Sequence, residues 1–175
     1  YQVPNWCSNH VEINGPKEKI KDLFDVAKNG DGLLEAMALL GKWDYHDAIQ
    51  HWGTKWDINV SESGLAYLDH NDKTGSIRGY FESAWSPPEQ AMFTYMDNNP
   101  DVDIELFYYE PSMDFAGSLR AGTIEISKQN KDFWLNTDIG VALDSHFGVI
   151  DMLEEYEEEV QEEVLAEPPD VLHEI

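Results

Sequence analysis

The sequence predicts an α+β fold: an antiparallel sheet with helices on one face and an acidic helix appended at the C-terminal end. Three observations carry this. Short stretches of alternating apolar and polar residues recur through the first 127 positions, and two segments among them have apolar residues at helical spacing. The third is DMLEEYEEEVQEEV, residues 151–164, which holds eight carboxylates and no lysine or arginine.

In CSNHVEING, Cys7, Asn9, Val11 and Ile13 alternate with Ser8, His10, Glu12 and Asn14, the two-residue period of a half-buried strand. Gly15-Pro16 opens a helix on which Ile20, Leu23, Phe24 and Ala27 share a face, Pro16 suits its first turn, and KNGDG stops it. Residues 30–52 read as an insertion with one or two short helices. TKWDINV and GLAYLDH are expected strands on either side of SESG; DHNDKTG turns into SIRGYFESAW, with Ile77, Phe81 and Trp85 expected on one face. SPPE has the form of a capping box, with Ser86 as N-cap, Pro87 as first helical residue and Glu89 completing it. DVDIELFYYE and GSLRAGTIEIS are further strands, the second around a turn at Ala121-Gly122.

The resulting order, β-α-β-β-α-β-β, is that of a split β-α-β, ferredoxin-like antiparallel sheet with both helices on one face. Beyond it, Val149, Ile150, Leu153, Tyr156, Val160 and Val164 recur every three or four residues and predict a helix with one apolar stripe. AEPPDVLHEI is expected to be a loose end. Residues 1–145 are thus read as the body, with its insertion at about 30–52, and 146–175 as the acidic helix and tail.

Composition bounds the function. Six tryptophans, eight tyrosines and seven phenylalanines in 175 residues supply a core that needs neither disulfide nor structural metal, and Cys7, the single cysteine, forms no internal disulfide. The opening YQVPNWCSNH does not resemble a signal peptide and no run approaches the ~18 apolar residues of a membrane helix, so the expected location is the cytoplasm. The net charge is −24, and residues 151–175 contribute 11 acidic groups with no base. Such a surface repels nucleic acid and anionic lipid and attracts basic proteins.

Four stretches in the same order, PNWCSNHVEINGP, HWGTKWDINV, ESAWSPP and YYEPSMDFAG, resemble the YubB-type ferredoxin-like domain family of bacteriophages and plasmids. The resemblance covers roughly residues 3–127 and implies a ferredoxin-like fold and a mobile-element origin. It implies no activity, and the acidic helix lies outside it. Ser112 and Asp114 stand where such proteins tend to have glycines.

The remaining constellations are weak. Trp6, Trp52, Trp56 and Trp85 with Tyr108 and Tyr109 suggest a stacking platform for RNA, but Lys55 and Arg78 are isolated cations where phosphate binding needs several. His10, His46, His51 and His70 lack metal-ligand spacing, and neither DHNDKTG nor KNGDGLLEA places a glutamate at the twelfth position of a calcium loop, so no metal or cofactor is expected. Cys7 and His10, three apart on a strand, point to opposite faces. A carboxylate pair of Asp57 and Glu110 stays open for acid-base chemistry.

Why, then, do the carboxylates line up? Over Asp151 to Glu163 a helix carries about one charge per 2.4 Å, against about one per 1.7 Å of axis in duplex DNA, so it presents to a basic groove something close to a phosphate backbone. The leading expectation is a non-enzymatic, phage- or plasmid-encoded DNA mimic. It inhibits a basic, nucleic-acid-binding host protein or nucleoprotein complex of a defence system such as restriction or CRISPR, through Asp151, Glu154, Glu155, Glu158, Glu159, Glu162 and Glu163, with no direct nucleic-acid or membrane binding. Two alternatives stand beside it: an enzyme or small-ligand binder with a pocket near Trp52, Lys55, Asp57, Trp85 and Glu110, and an oligomer assembled through the C-terminal helix.

Overall fold

The computed structural model of the chain describes residues 4–168. The chain divides into two compact units, one ending at Gln129 and the other beginning at Asn130. The boundary expected at 145/146 falls inside a helix of the second unit.

The first unit is α+β. It runs β1 (Trp6–Pro16), α1 (Lys17–Asn29), α2 (Leu33–Met37), α3 (Tyr45–His51), β2 (Ala66–Asp69), β3 (Thr74–Ala84), α4 (Glu89–Asn98), β4 (Asp103–Glu110), β5 (Phe115–Ser118) and β6 (Gly122–Glu125). The six strands form one antiparallel sheet in the order β2-β3-β1-β4-β5-β6. Antiparallel pairing of β3 with both its neighbours makes β1 and β2 parallel, and pairing of β1 with β3 and β4 makes those two parallel. Two β-α-β crossovers, through α1 and α4, are therefore interleaved, and the β5–β6 hairpin extends one edge.

The alternation of β1 decides which face is buried. Cys7, Val11 and Ile13 are fully buried beside Ile77, Phe81, Ile104 and Leu106 from the flanking strands. Against them pack Ile20, Leu23 and Ala27 of α1 and Ala91, Met92 and Tyr95 of α4. Each such aliphatic side chain contributes roughly 1.5–3 kcal/mol by leaving water. The opposite face carries Ser8, His10 and Glu12 with Glu82, Tyr80 and Arg78 as their partners across β3. There the guanidinium of Arg78 meets Glu12 at 3.0 Å and holds the Glu12 carboxyl below its ordinary value.

The 30–52 insertion supplies two short helices, as its apolar intervals suggest, but TKWDINV is not a strand. Its polar side chains turn inward to tie segments together. The Asp57 carboxylate accepts from the backbone N–H groups of Leu34 (2.6 Å), Ile58 (2.7 Å) and Glu35 (3.1 Å), and so holds the start of α2. Thr54 donates its hydroxyl proton to the Ala84 carbonyl at 2.7 Å.

Two local expectations also change. Ser86 does not cap α4, which starts at Glu89 after Pro88 without a side-chain cap; the Ser86 hydroxyl donates to the Gly53 carbonyl at 2.5 Å instead. Trp85 adopts a left-handed backbone (φ 71°), which ends β3 and takes it off the face shared by Ile77 and Phe81.

The second unit consists of α5 (Lys131–Asn136), α6 (Asp138–Phe147) and α7 (Val149–Ala166). Side chains cap two of the starts, Asn130 accepting from Phe133 N–H (3.0 Å) and Thr137 from Gly140 N–H (3.1 Å), while at α7, whose N-cap is Gly148, Asp144 of α6 accepts from Ile150 N–H (2.8 Å). Gly148, left-handed at φ 65°, lets α6 end and α7 begin without a longer loop. Trp134, Leu143 and Val149 are the buried large side chains of these helices. Of the end read as loose, residues 169–175 lie outside the described residues.

Candidate functional site

The acidic stretch is helical throughout. From Val149 to Ala166 α7 spans about 27 Å. Its first turn packs through Val149, with Met152 and Leu153 half-buried, but every residue from Glu154 to Ala166 is exposed. Tyr156, Val160 and Val164 therefore lie in solvent, Tyr156 at 65% exposure and Val164 at 67%. The stripe expected to pack does so only up to Leu153.

At 3.6 residues per turn, Leu153, Tyr156, Val160 and Val164 form one narrow stripe, and Asp151, Glu158 and Glu162 lie about opposite it. Glu154, Glu155, Glu159 and Glu163 spread over the flanks. Among the described residues, Glu154 is the one α7 carboxylate in a salt bridge, 2.6 Å from Lys131 of α5, whose ammonium it holds above its ordinary value. Glu157 also acts on the Lys131 charge, and the remaining carboxylates of the run are exposed to solvent.

Hydrogen bonds tie the stretch around Asn5 and Asn9 to the one around Ser83 and Ser86. Asn9 donates to the Ser83 hydroxyl (2.8 Å), which donates to the Ser86 carbonyl (2.7 Å), and Trp85 N–H reaches the Asn5 carbonyl (2.8 Å). Glu110, 1% exposed, accepts from the backbone N–H and hydroxyl of Ser112. Its second oxygen and the side-chain oxygen of Asn9 are buried without a hydrogen-bond partner.

Each of the five residues expected near a pocket has local contacts or a place of its own. Trp52 is buried and donates its indole N–H to the Ala38 carbonyl at 2.8 Å; Lys55 lies over the Trp56 ring, 4.7 Å from its centroid; Asp57 anchors α2; Trp85 is exposed; Glu110 is buried. Burial pushes the Asp57 carboxyl up in spite of its three donors. Asp57 and Glu110 share no hydrogen bond, since every partner of Asp57 is backbone and that of Glu110 is Ser112.

A cavity of about 360 Å³, lined in part by Asp57, opens at the β3 end of the exposed sheet face. Trp6, Tyr80 and Glu82 of the sheet form one wall, and the 57–64 segment, with Asp57, Glu62 and Gly64, forms the other. The second wall lies close because Gly79 is left-handed (φ 145°) and its absent side chain leaves room for the Gly64 carbonyl, 2.1 Å from where a Cβ would sit. Gly64 N–H then bonds to the Tyr80 carbonyl at 2.9 Å. Sequence reasoning missed Tyr80, Glu82 and Glu62. The signal was the alternation of Arg78, Tyr80 and Glu82 on the face opposite Ile77 and Phe81.

The remaining candidates are occupied locally. Cys7 is buried, which pushes its thiol up to about 12, and His10 lies on the other face with its ring edge-on to Tyr80 at 4.6 Å. Asn71 accepts from Lys73 and Thr74 N–H, so DHNDKTG is an Asx turn. Among the described residues no three His, Cys, Asp or Glu side chains converge to hold a metal ion, and no helix is long and apolar enough to cross a membrane. Comparison with family models, curated proteins and solved structures found no match.

Proposed function

We propose that this chain is a non-enzymatic acidic protein that binds a basic surface of a nucleic-acid-binding protein and blocks it, α7 standing in for a polynucleotide. In this reading the first unit is a ferredoxin-like sheet related to the mobile-element family its motifs resemble, and the target is a component of host defence. The observation that carries the reading is the exposed order of α7. A solvating tail needs no fixed spacing, whereas here all eight carboxylates of the run stand on a helix and, among the described residues, one of them, Glu154, is in a salt bridge.

The same carboxylates favour an unlike partner over self-association. Asp151/Glu155, Glu154/Glu158, Glu155/Glu159, Glu158/Glu162 and Glu159/Glu163 are like-charge pairs one turn apart, each unfavourable by roughly 0.2–0.5 kcal/mol, and a second copy adds to that repulsion while a cationic groove removes it. The test is capture of the target from bacterial lysate followed by competition. Duplex DNA should displace the captured protein, added salt should weaken the complex steeply, and a variant with Glu155, Glu158, Glu159 and Glu162 changed to Lys should capture nothing while remaining folded. A target held equally by the reversed-charge variant rejects the proposal.

A further inference from the structure

The cavity at the β3 end of the sheet has an unusual wall composition. Trp6 and Tyr80 are 46% and 49% exposed, although aromatic rings of this size normally contribute by burial. Beside them stand the carboxylates of Glu82 and Glu62, with Asp57 also on the wall, and among the described residues no lysine, arginine or histidine lines the space. Among the described residues neither glutamate takes part in a salt bridge; the polar partner of Glu82 is the Ser8 hydroxyl at 3.1 Å. Partial burial by the walls pushes the Glu82 carboxyl up.

The ring cluster already receives one cation. Trp6 lies against Trp56, centroids 6.0 Å apart, and the Lys55 ammonium sits 4.7 Å from the Trp56 centroid. Ring faces carry negative electrostatic potential, so aromatic walls next to carboxylates that have no lysine or arginine in a salt bridge favour a positively charged group. An anion meets −24 of net charge and the carboxylates of the wall, whereas a purely apolar ligand gains nothing from those carboxylates. The volume suits a small organic group.

We propose that this cavity binds an organic cation, an alkylammonium or guanidinium group, with Trp6 and Tyr80 against its faces and Glu82 and Glu62 balancing its charge. The proposal goes beyond the role assigned to α7 and does not depend on it. The cation is supplied either as a free amine or as a lysine or arginine side chain of a protein, and the two sources share this chemistry.

The experiment titrates the full chain with choline, with the uncharged carbon isostere of choline, with arginine amide and with a short lysine- and arginine-containing peptide, following the Trp6 indole N–H by NMR. Choline or arginine amide should shift that resonance saturably and bind about tenfold more tightly than the isostere. Tighter binding of the peptide identifies a protein side chain as the source, and equal binding identifies a free amine. Trp6→Ala and the isosteric Glu82→Gln should each weaken binding severalfold, the second without risk to the core, and the α7 variant carrying four lysines should bind as the unaltered chain does. Equal binding of choline and its isostere, or no Trp6 shift with any cation, overturns the proposal.

Discussion

At the scale of single residues, the informative side chains are polar groups in places where the backbone alone would not hold. Asp57 is the clearest. Its carboxylate satisfies two N–H groups at the start of α2 and that of Ile58, so one side chain ties the insertion to the segment before β2. Asp57→Ala should cost about 2–3 kcal/mol, because those donors are left without their acceptor, and urea unfolding followed by tryptophan fluorescence measures it. Glu12 offers a smaller effect with a defined pH window. Its folded-state value is lowered by Arg78, so the pair contributes stability above the ordinary carboxylate value of 4.5 that disappears as pH falls through the lowered one. On an exposed face this amounts to no more than about 1 kcal/mol. Arg78→Gln should therefore lower stability slightly at neutral pH and not at pH values below that window.

At the scale of elements, the strands and helices whose pattern is set by burial were readable from spacing alone. β1 is the example: Cys7, Val11 and Ile13 alternate because one face of the strand meets α1 and α4. The errors lie where side chains bond to distant backbone. TKWDINV alternates like a strand, but Thr54 and Asp57 spend their polar groups on Ala84 and on α2; SPPE has the letters of a capping box, but Ser86 bonds to Gly53, and neither partner is visible in local sequence. The candidate site divides in the same way. The charge of α7 was evident from its letters, whereas the cavity joins Trp6, Glu62 and Glu82 from three separate segments through the close approach of Gly64 to Gly79. For α7 itself, exposure from Glu154 onward leaves like-charge repulsion undiminished by packing. Raising salt to about 1 M shortens the screening length to about 3 Å, so amide exchange of residues 154–166 should slow with added salt. Exchange that is unchanged or faster means that repulsion does not limit this helix.

At the scale of the whole molecule, charge and apolar exposure on the second unit oppose each other. Residues 130–175 hold 14 carboxylates and one lysine, more than half of the net charge of −24, and the same residues expose Tyr156, Val160 and Val164 as an unpartnered stripe. Apolar surface of this kind drives association in proportion to its area, while the carboxylates on both flanks oppose the approach of an identical helix. Ionic strength decides between them. At low salt the full chain should scatter light as a monomer, because two copies of α7 repel over distances of about 10 Å or more. Near 1 M salt that repulsion is confined to contact and the stripe can pair, so the mean mass should rise with protein concentration, and Tyr156→Glu, which places a charge in the stripe, should abolish the rise. A stable dimer already present at low salt and abolished by Tyr156→Glu would mean that two copies of α7 pair in spite of their charge, and would remove the reason for giving α7 a basic partner.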